Sequence, residues 1–211
     1  MNNTLHKFEN VVFDGTDASK ADAAIIFVHG RGDASDGMHK LANYVVKKEN
    51  VALAFPKATN ATWYPASFLQ PWDVNQPWLD SALDNLANIV KHFNESGVAD
   101  ENIYFLGFSQ GACLALDYTA RNAKKYGGIM ALSGGLIGPH IDASKYSGNY
   151  EGTKVLLGCS DVDFHIPVER VHDSEKMLLE LGANVDKRIY PGMGHLINDD
   201  EIEAVIEILN G

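Results

Sequence analysis

An apolar run, Ile103-Tyr104-Phe105-Leu106, leads straight into Gly107-Phe108-Ser109-Gln110-Gly111-Ala112. This is the pattern of a strand that turns abruptly into a helix. The glycines on either side of the serine relieve crowding where the helix crosses the sheet, and Ala112 keeps the first helical turn small. A strand followed by a covering helix demands a parallel neighbour, because only a crossover connection returns the chain in the same direction. The Gly-x-Ser-x-Gly spacing also lifts the Ser109 hydroxyl from the sheet edge, as in a nucleophile elbow. The bland alternative is a glycine-rich turn whose serine does no chemistry.

The rest of the chain repeats the same alternation. Short apolar runs at 24–28, 51–55, 103–106, 128–132, 154–157 and 184–190 read as strands, the first of them continuous enough to be buried on both faces. Helical spacing occurs at 38–48, 78–93, from Ser109 to about residue 124, at 168–181 and at 199–209. Gly182 ends the fourth helix, and Asn198 or Asp199 caps the last. The expected fold is α/β, with a mostly parallel central sheet and helices on both faces. The 211 residues fit a single domain, 1–211, with no repeat or interdomain linker. In such sheets the chemistry sits beyond the carboxyl ends of the strands.

Residues 56–77 break the alternation. They hold four of the seven prolines together with Trp63 and Trp72, and Trp78 follows. A loop this long in a compact domain is usually functional or disordered, and the aromatic content argues against disorder. Loop 56–78 is therefore expected to be a lid or a substrate wall, its aromatics otherwise serving only as packing. Trp63, Tyr64, Phe68 and, from a later loop, Met193 are the candidate substrate contacts.

A serine hydroxyl needs a base within reach and an acid to orient that base. An elbow predicts the chain order serine, acid, histidine. The strand ending near Leu157 opens into a loop with Asp161 and Asp163, and the strand ending at Tyr190 opens into Pro191-Gly192-Met193-Gly194-His195. His195, in a glycine-rich loop, is the expected base, with His165 its only rival. The spacing leaves Asp161 and Asp163 equal as the acid. His6, His39, His92, His140 and His172 are expected to be solvated. Cys113 and Cys159 are expected to be buried free thiols. No His/Cys/Asp cluster has metal-ligand spacing, so no metal and no cofactor are expected.

The net charge of −11 argues against nucleic acid and against anionic membrane surfaces. With no apolar leader and no spanning stretch, a cytoplasmic monomer or homodimer acting on a small-molecule ester is the expectation.

Taken together, His29-Gly30-Arg31-Gly32-Asp33, Gly107-Phe108-Ser109-Gln110-Gly111-Ala112, Asp163-Phe164-His165-Ile166-Pro167 and Gly192-Met193-Gly194-His195 resemble the phospholipase/carboxylesterase family. Acyl-protein thioesterases belong to the same group of α/β-hydrolases. The resemblance runs from about residue 23 to 209. It implies the α/β-hydrolase fold and selects Asp163 as the acid, since there three residues separate the acid from a proline. Asp161 then becomes a structural or solvated neighbour. It also implies an oxyanion hole made of the Arg31 and Gln110 backbone N–H groups. His29 and Asp33 are expected to shape the turn rather than do chemistry. The Arg31 side chain, where acyl-protein thioesterases usually carry an apolar residue, would meet an anionic group on the substrate or stand solvated or salt-bridged.

The expected activity is that of a serine carboxylesterase. Two alternatives stand beside it: a thioesterase or lysophospholipase with a long acyl channel, and a non-catalytic binding protein on a hydrolase scaffold.

Overall fold

Seven strands form one sheet in the computed structural model, which describes residues 5–33 and 35–211. In chain order they are β1 (Val12–Gly15), β2 (Ala23–Val28), β3 (Val51–Phe55), β4 (Ile103–Phe108), β5 (Gly128–Leu132), β6 (Lys154–Ser160) and β7 (Asn184–Tyr190). Among the described residues five α-helices accompany them: α1 (Asp36–Val45), α2 (Trp78–Glu95), α3 (Gln110–Arg121) and α4 (Val168–Glu180) lie between strands, and α5 (Asp199–Asn210) follows β7. The order across the sheet is β1-β3-β2-β4-β5-β6-β7. All pairs are parallel except β1 with β3, where Val12 faces Phe55 antiparallel.

The apolar runs become strands because both faces of the sheet are covered. In β2, Ala24, Ile26 and Val28 enter one core, while Ala23, Ile25 and Phe27 enter the other. The period of two is thus present in a run that reads as uniformly apolar. Helices α2, α3 and α4 cover the first face through Leu86, Leu114 and Val171. Helices α1 and α5 cover the second through Met38, Val45 and Val205, where Phe27 stacks on Phe55 at 5.1 Å.

Two departures from the sequence reading are local. Strand β1 escaped it because Val12-Phe13-Asp14-Gly15 is short, largely exposed and without alternation. Helices α1 and α3 stop three residues early, the latter at Asn122, whose backbone leaves the helical region. Of the two caps expected, Asn198 and Asp199, it is Asn198 that caps α5, in a full capping box with Glu201.

Glu201 carries a cost. It is fully buried, and while one carboxylate oxygen accepts the Asn198 amide at 2.9 Å, Oε1 has no partner among the described residues. Burial pushes its pKa up to about 7. Because that lies above the unfolded value, the protonated form favours the fold. Its stabilisation is complete below the ordinary glutamate range and is lost as pH rises through about 7. The Glu201→Gln variant is expected to melt several degrees above the wild type at pH 8, the gap closing toward pH 5, in thermal melts across that range.

Candidate active site

Ser109 is placed by the collision of β4 with α3. Its backbone sits at φ 54°, ψ −120°, a strained conformation for a non-glycine residue. Ser109 N–H donates to the Leu132 carbonyl on β5 at 2.9 Å, and its own carbonyl accepts the Cys113 amide at 3.0 Å, so sheet and helix together hold the strain. A Cβ on Gly107 would lie 2.6 Å from the Gly111 carbonyl oxygen, which is why the residue two before the serine carries no side chain. The Ser109 hydroxyl points outward at the carboxyl edge of the sheet, toward His195.

His195 arrives from the loop after β7. Gly192 and Gly194 both adopt positive φ. Gly192 N–H donates to Asp161 at 2.8 Å, and Gly194 N–H to the Ser160 hydroxyl at 3.0 Å. Asp161 therefore has a structural task in holding the histidine loop. Asp163 takes the other position, its Oδ2 lying 2.7 Å from His195 Nδ1, while Nε2 lies 2.9 Å from Ser109 Oγ. A carboxylate only accepts, so Nδ1 carries the ring proton and Nε2 is left to accept the serine hydroxyl. Burial tends to raise the Asp163 pKa. Hydrogen bonds from His195 and from the amides of His165 and Ile166 outweigh it and hold the carboxyl below its usual range. The group is therefore anionic at neutral pH. His165 does not reach the serine; it is exposed and stands edge-on to His195 at 4.8 Å.

Arg31 and Gln110 both line the cleft that contains Ser109. The neighbouring Gly32 amide is taken by the Ala61 carbonyl, and the Asp33 amide by that of Gly30. Among the described residues the Arg31 and Gln110 amides have no protein acceptor. Gln110 also opens α3, where amides lack helical partners and the dipole favours negative charge.

A cleft of about 320 Å³ opens beside these groups, lined among others by Tyr64, Ser67, Phe68, Cys113, His165 and Ile166. Tyr64 and Phe68 thus lie where substrate contacts were expected. Trp63 and Met193 do not line it. Trp63 is fully buried behind the wall, its indole N–H donating to the His29 carbonyl at 2.8 Å. The Met193 sulfur instead accepts from the Asn198 side chain at 3.0 Å. Cys113 and Cys159 are free and buried, and burial pushes both thiols up to about 12.

The wall owes its position to side chains that sequence reasoning assigned elsewhere. The Arg31 guanidinium neither faces solvent alone nor pairs with a carboxylate; it donates to the carbonyls of Tyr64, Pro65 and Ala66 at 2.8–2.9 Å. The Gln110 side chain accepts the Trp63 amide at 2.9 Å and donates to the Tyr64 carbonyl at 2.8 Å. Asn75 is buried and bridges Ala66 and Ser67. His6 was expected to be solvated but is 1% exposed, because Leu5 and His6 lie against Thr59, Trp63 and Ser81. It accepts the Thr59 amide at Nδ1 and donates from Nε2 to the Trp63 carbonyl, and burial lowers its pKa. His29 is equally buried, accepting the Ala58 amide at Nε2 and donating from Nδ1 to the Gly30 carbonyl. Both rings are thereby fixed as neutral tautomers that brace the loop.

No helix among the described residues is long and apolar enough to cross a membrane. The model of the family described as Phospholipase/Carboxylesterase matches residues 12–211. Acyl-protein thioesterase 1 of Saccharomyces cerevisiae is 30% identical over 209 residues, covering 90% of this chain and 92% of that one. A probable carboxylesterase of Oryza sativa subsp. japonica is 25% identical over 205 residues, covering 89% and 77%. The crystal structure of a phospholipase/carboxylesterase from Dyadobacter fermentans superposes with a TM-score of 0.94 at 41% identity, covering 98% of both chains.

Proposed function

The chain belongs to the phospholipase/carboxylesterase family and is a serine hydrolase; from that premise we propose that it is a carboxylesterase working through an acyl-enzyme on Ser109. One observation carries the reading: hydroxyl, imidazole and carboxylate stand in a single hydrogen-bonded line, Ser109–His195–Asp163, at 2.9 and 2.7 Å. Ser109 attacks the ester carbonyl while His195 Nε2 takes its proton. Asp163 keeps the imidazole in the accepting tautomer and stabilises the imidazolium. The Arg31 and Gln110 amides receive the charge that develops on the carbonyl oxygen, a donor of this kind being worth roughly 3 kcal/mol of barrier. His195 then gives its proton to the departing alcohol, and water removes the acyl group by the same route. No cofactor takes part.

Activity is expected to fall on acidification, because an imidazolium cannot accept the serine proton. A rate that stays flat into strongly acidic buffer would remove His195 from the scheme.

A second reading has a specific support, the 30% identical relative that is named as an acyl-protein thioesterase. A p-nitrophenyl ester series from acetate to palmitate, run beside a palmitoyl thioester, separates the two. On this reading the cleft of about 320 Å³ bounded by Tyr64 and Phe68 takes short and medium acyl groups. Fluorophosphonate labelling mapped to Ser109 and a rate maximum at short chains are expected. A maximum at palmitate, or preferred turnover of the thioester, moves the assignment to the thioesterase. No turnover and no label would leave a binding protein on a hydrolase scaffold.

A further inference from the structure

Three large apolar side chains are exposed to water on the loops that carry the acid and the imidazole. Val162, Phe164 and Leu196 are 58%, 79% and 47% exposed. They come from the two loops that flank the reacting groups, the Asp163 loop and the His195 loop. The Phe164 ring lies 4.2 Å from that of His165 and 6.0 Å from that of His195. The loop that presents it is not slack, since Asp163 accepts the amides of both His165 and Ile166. An apolar rim of this kind, held on an ordered loop, gains by being covered.

What covers it follows from the proton's path. During acylation the Ser109 Oγ–acyl carbon bond forms and the acyl carbon–alcohol oxygen bond breaks. The serine proton, held on His195 Nε2, passes to that leaving oxygen. The alcohol must therefore lie against His195, and the Phe164 ring stands 6.0 Å from that imidazole. The cleft itself is lined by Tyr64, Phe68 and Cys113 together with His165 and Ile166 of the Asp163 loop, and on the serine-esterase reading the first three face the acyl group.

Charge narrows the class further. Asp161 is exposed on the same loop, and the chain carries a net charge of −11. Among the described residues that line the cleft, Arg31 is the sole lysine or arginine, and its guanidinium is engaged with three carbonyls. A phosphate-bearing alcohol or thiol would meet no counter-charge here. Resting on the serine-esterase reading, we propose that Val162, Phe164 and Leu196 form the binding surface for the leaving alcohol. The preferred substrates are then esters of uncharged aryl or alkyl alcohols.

The test compares benzyl acetate with 2-methoxyethyl acetate, whose alcohols are similar in acidity but differ in apolar surface. Wild type, Phe164→Ala, Phe164→Leu and Leu196→Ser are assayed with both. The benzyl-to-methoxyethyl ratio of kcat/KM is expected to fall about tenfold in Phe164→Ala, the scale of one lost apolar contact. It is expected to recover in part in Phe164→Leu and to fall again in Leu196→Ser. Hydrolysis of the acetyl-enzyme, from which the alcohol has already gone, should not discriminate between the two esters in any variant. An unchanged ratio overturns the proposal, as does an equal loss on both esters, which would mean that Phe164 acts by positioning His195. Loss of sedimentation with phosphatidylcholine vesicles in Phe164→Ala, at an unchanged ratio, would assign the rim to a lipid surface instead. Failure of the underlying reading looks different: the wild type itself would be inert toward both esters and unlabelled by fluorophosphonate at Ser109.

Discussion

Ser109→Ala is expected to lower kcat on p-nitrophenyl acetate by a factor on the order of 10⁶, with the fold intact by circular dichroism. His195→Ala should cost about as much, and the double variant no more than either alone. The reason is that the groups act as a unit: an alcohol without a base is a poor nucleophile, and a base without the alcohol has nothing to activate. Asp163→Asn should cost less, about 10⁴-fold, because it leaves hydroxyl and imidazole in place but favours the wrong tautomer. The residual rate in all of them is expected to come from the proposed oxyanion donors, the Arg31 and Gln110 amides, which none of these changes removes. Steady-state kinetics on the three single variants and the double decides the matter. Ser109→Ala retaining more than about a hundredth of the wild-type rate, against the loss expected for a unit, would point to a different nucleophile.

The second large effect is on folding, and its sign opposes local propensity. Gly111 lies in the first turn of α3, where alanine is ordinarily favoured over glycine by about 1 kcal/mol. A Cβ there would lie 2.1 Å from the Val28 carbonyl oxygen and 2.5 Å from that of His29. Both are backbone atoms of β2 and the turn that follows it, so neither can swing aside. Gly111→Ala is expected to destabilise the protein by more than about 4 kcal/mol, in the range reserved for core overpacking and backbone collision. Because the displaced turn carries the Arg31 amide, whatever protein folds should also be slow. Gly192→Ala is the control: nothing lies within 4 Å of its Cβ, so only its positive φ resists, at a cost of about 1–2 kcal/mol. Urea unfolding of the two variants gives the comparison. Equal stabilities would mean that α3 does not cross β2 as closely as described.

Gly111 also shows where reading a sequence stops. The alternation of short apolar runs with helical periods was enough to anticipate a mostly parallel sheet with helices on both faces, because each period reports which faces are buried. The outline of the candidate site was legible for a similar reason. Ser109, the Asp161/Asp163 loop and His195 each follow the end of a strand, and in a parallel sheet all such ends point the same way. The resemblance to a family, not the spacing, chose Asp163 over Asp161. The geometry has Asp163 at 2.7 Å from His195 and Asp161 on the Gly192 amide.

Other features left no signal in the chain. Strand β1 is four residues with one exposed edge, so its pairing comes from β3 and not from its own pattern. Histidine 6 looked like a solvated residue of an irregular N-terminus and is a buried brace, because its two partners, Thr59 and Trp63, lie more than fifty residues away. The side chains of Arg31 and Gln110 were read for charge and for a backbone amide, yet both hold the loop wall through main-chain carbonyls and amides. A carbonyl is the same at every residue, so its engagement is invisible until the chain is folded. By itself, then, the sequence determined what periodicity and residue chemistry encode locally: the layers, the turn at Ser109 and the kinds of group at the strand ends. The tertiary structure alone decided which of those groups meet, which aromatics face the cleft and which support it from behind, since such contacts depend on distances between segments remote along the chain.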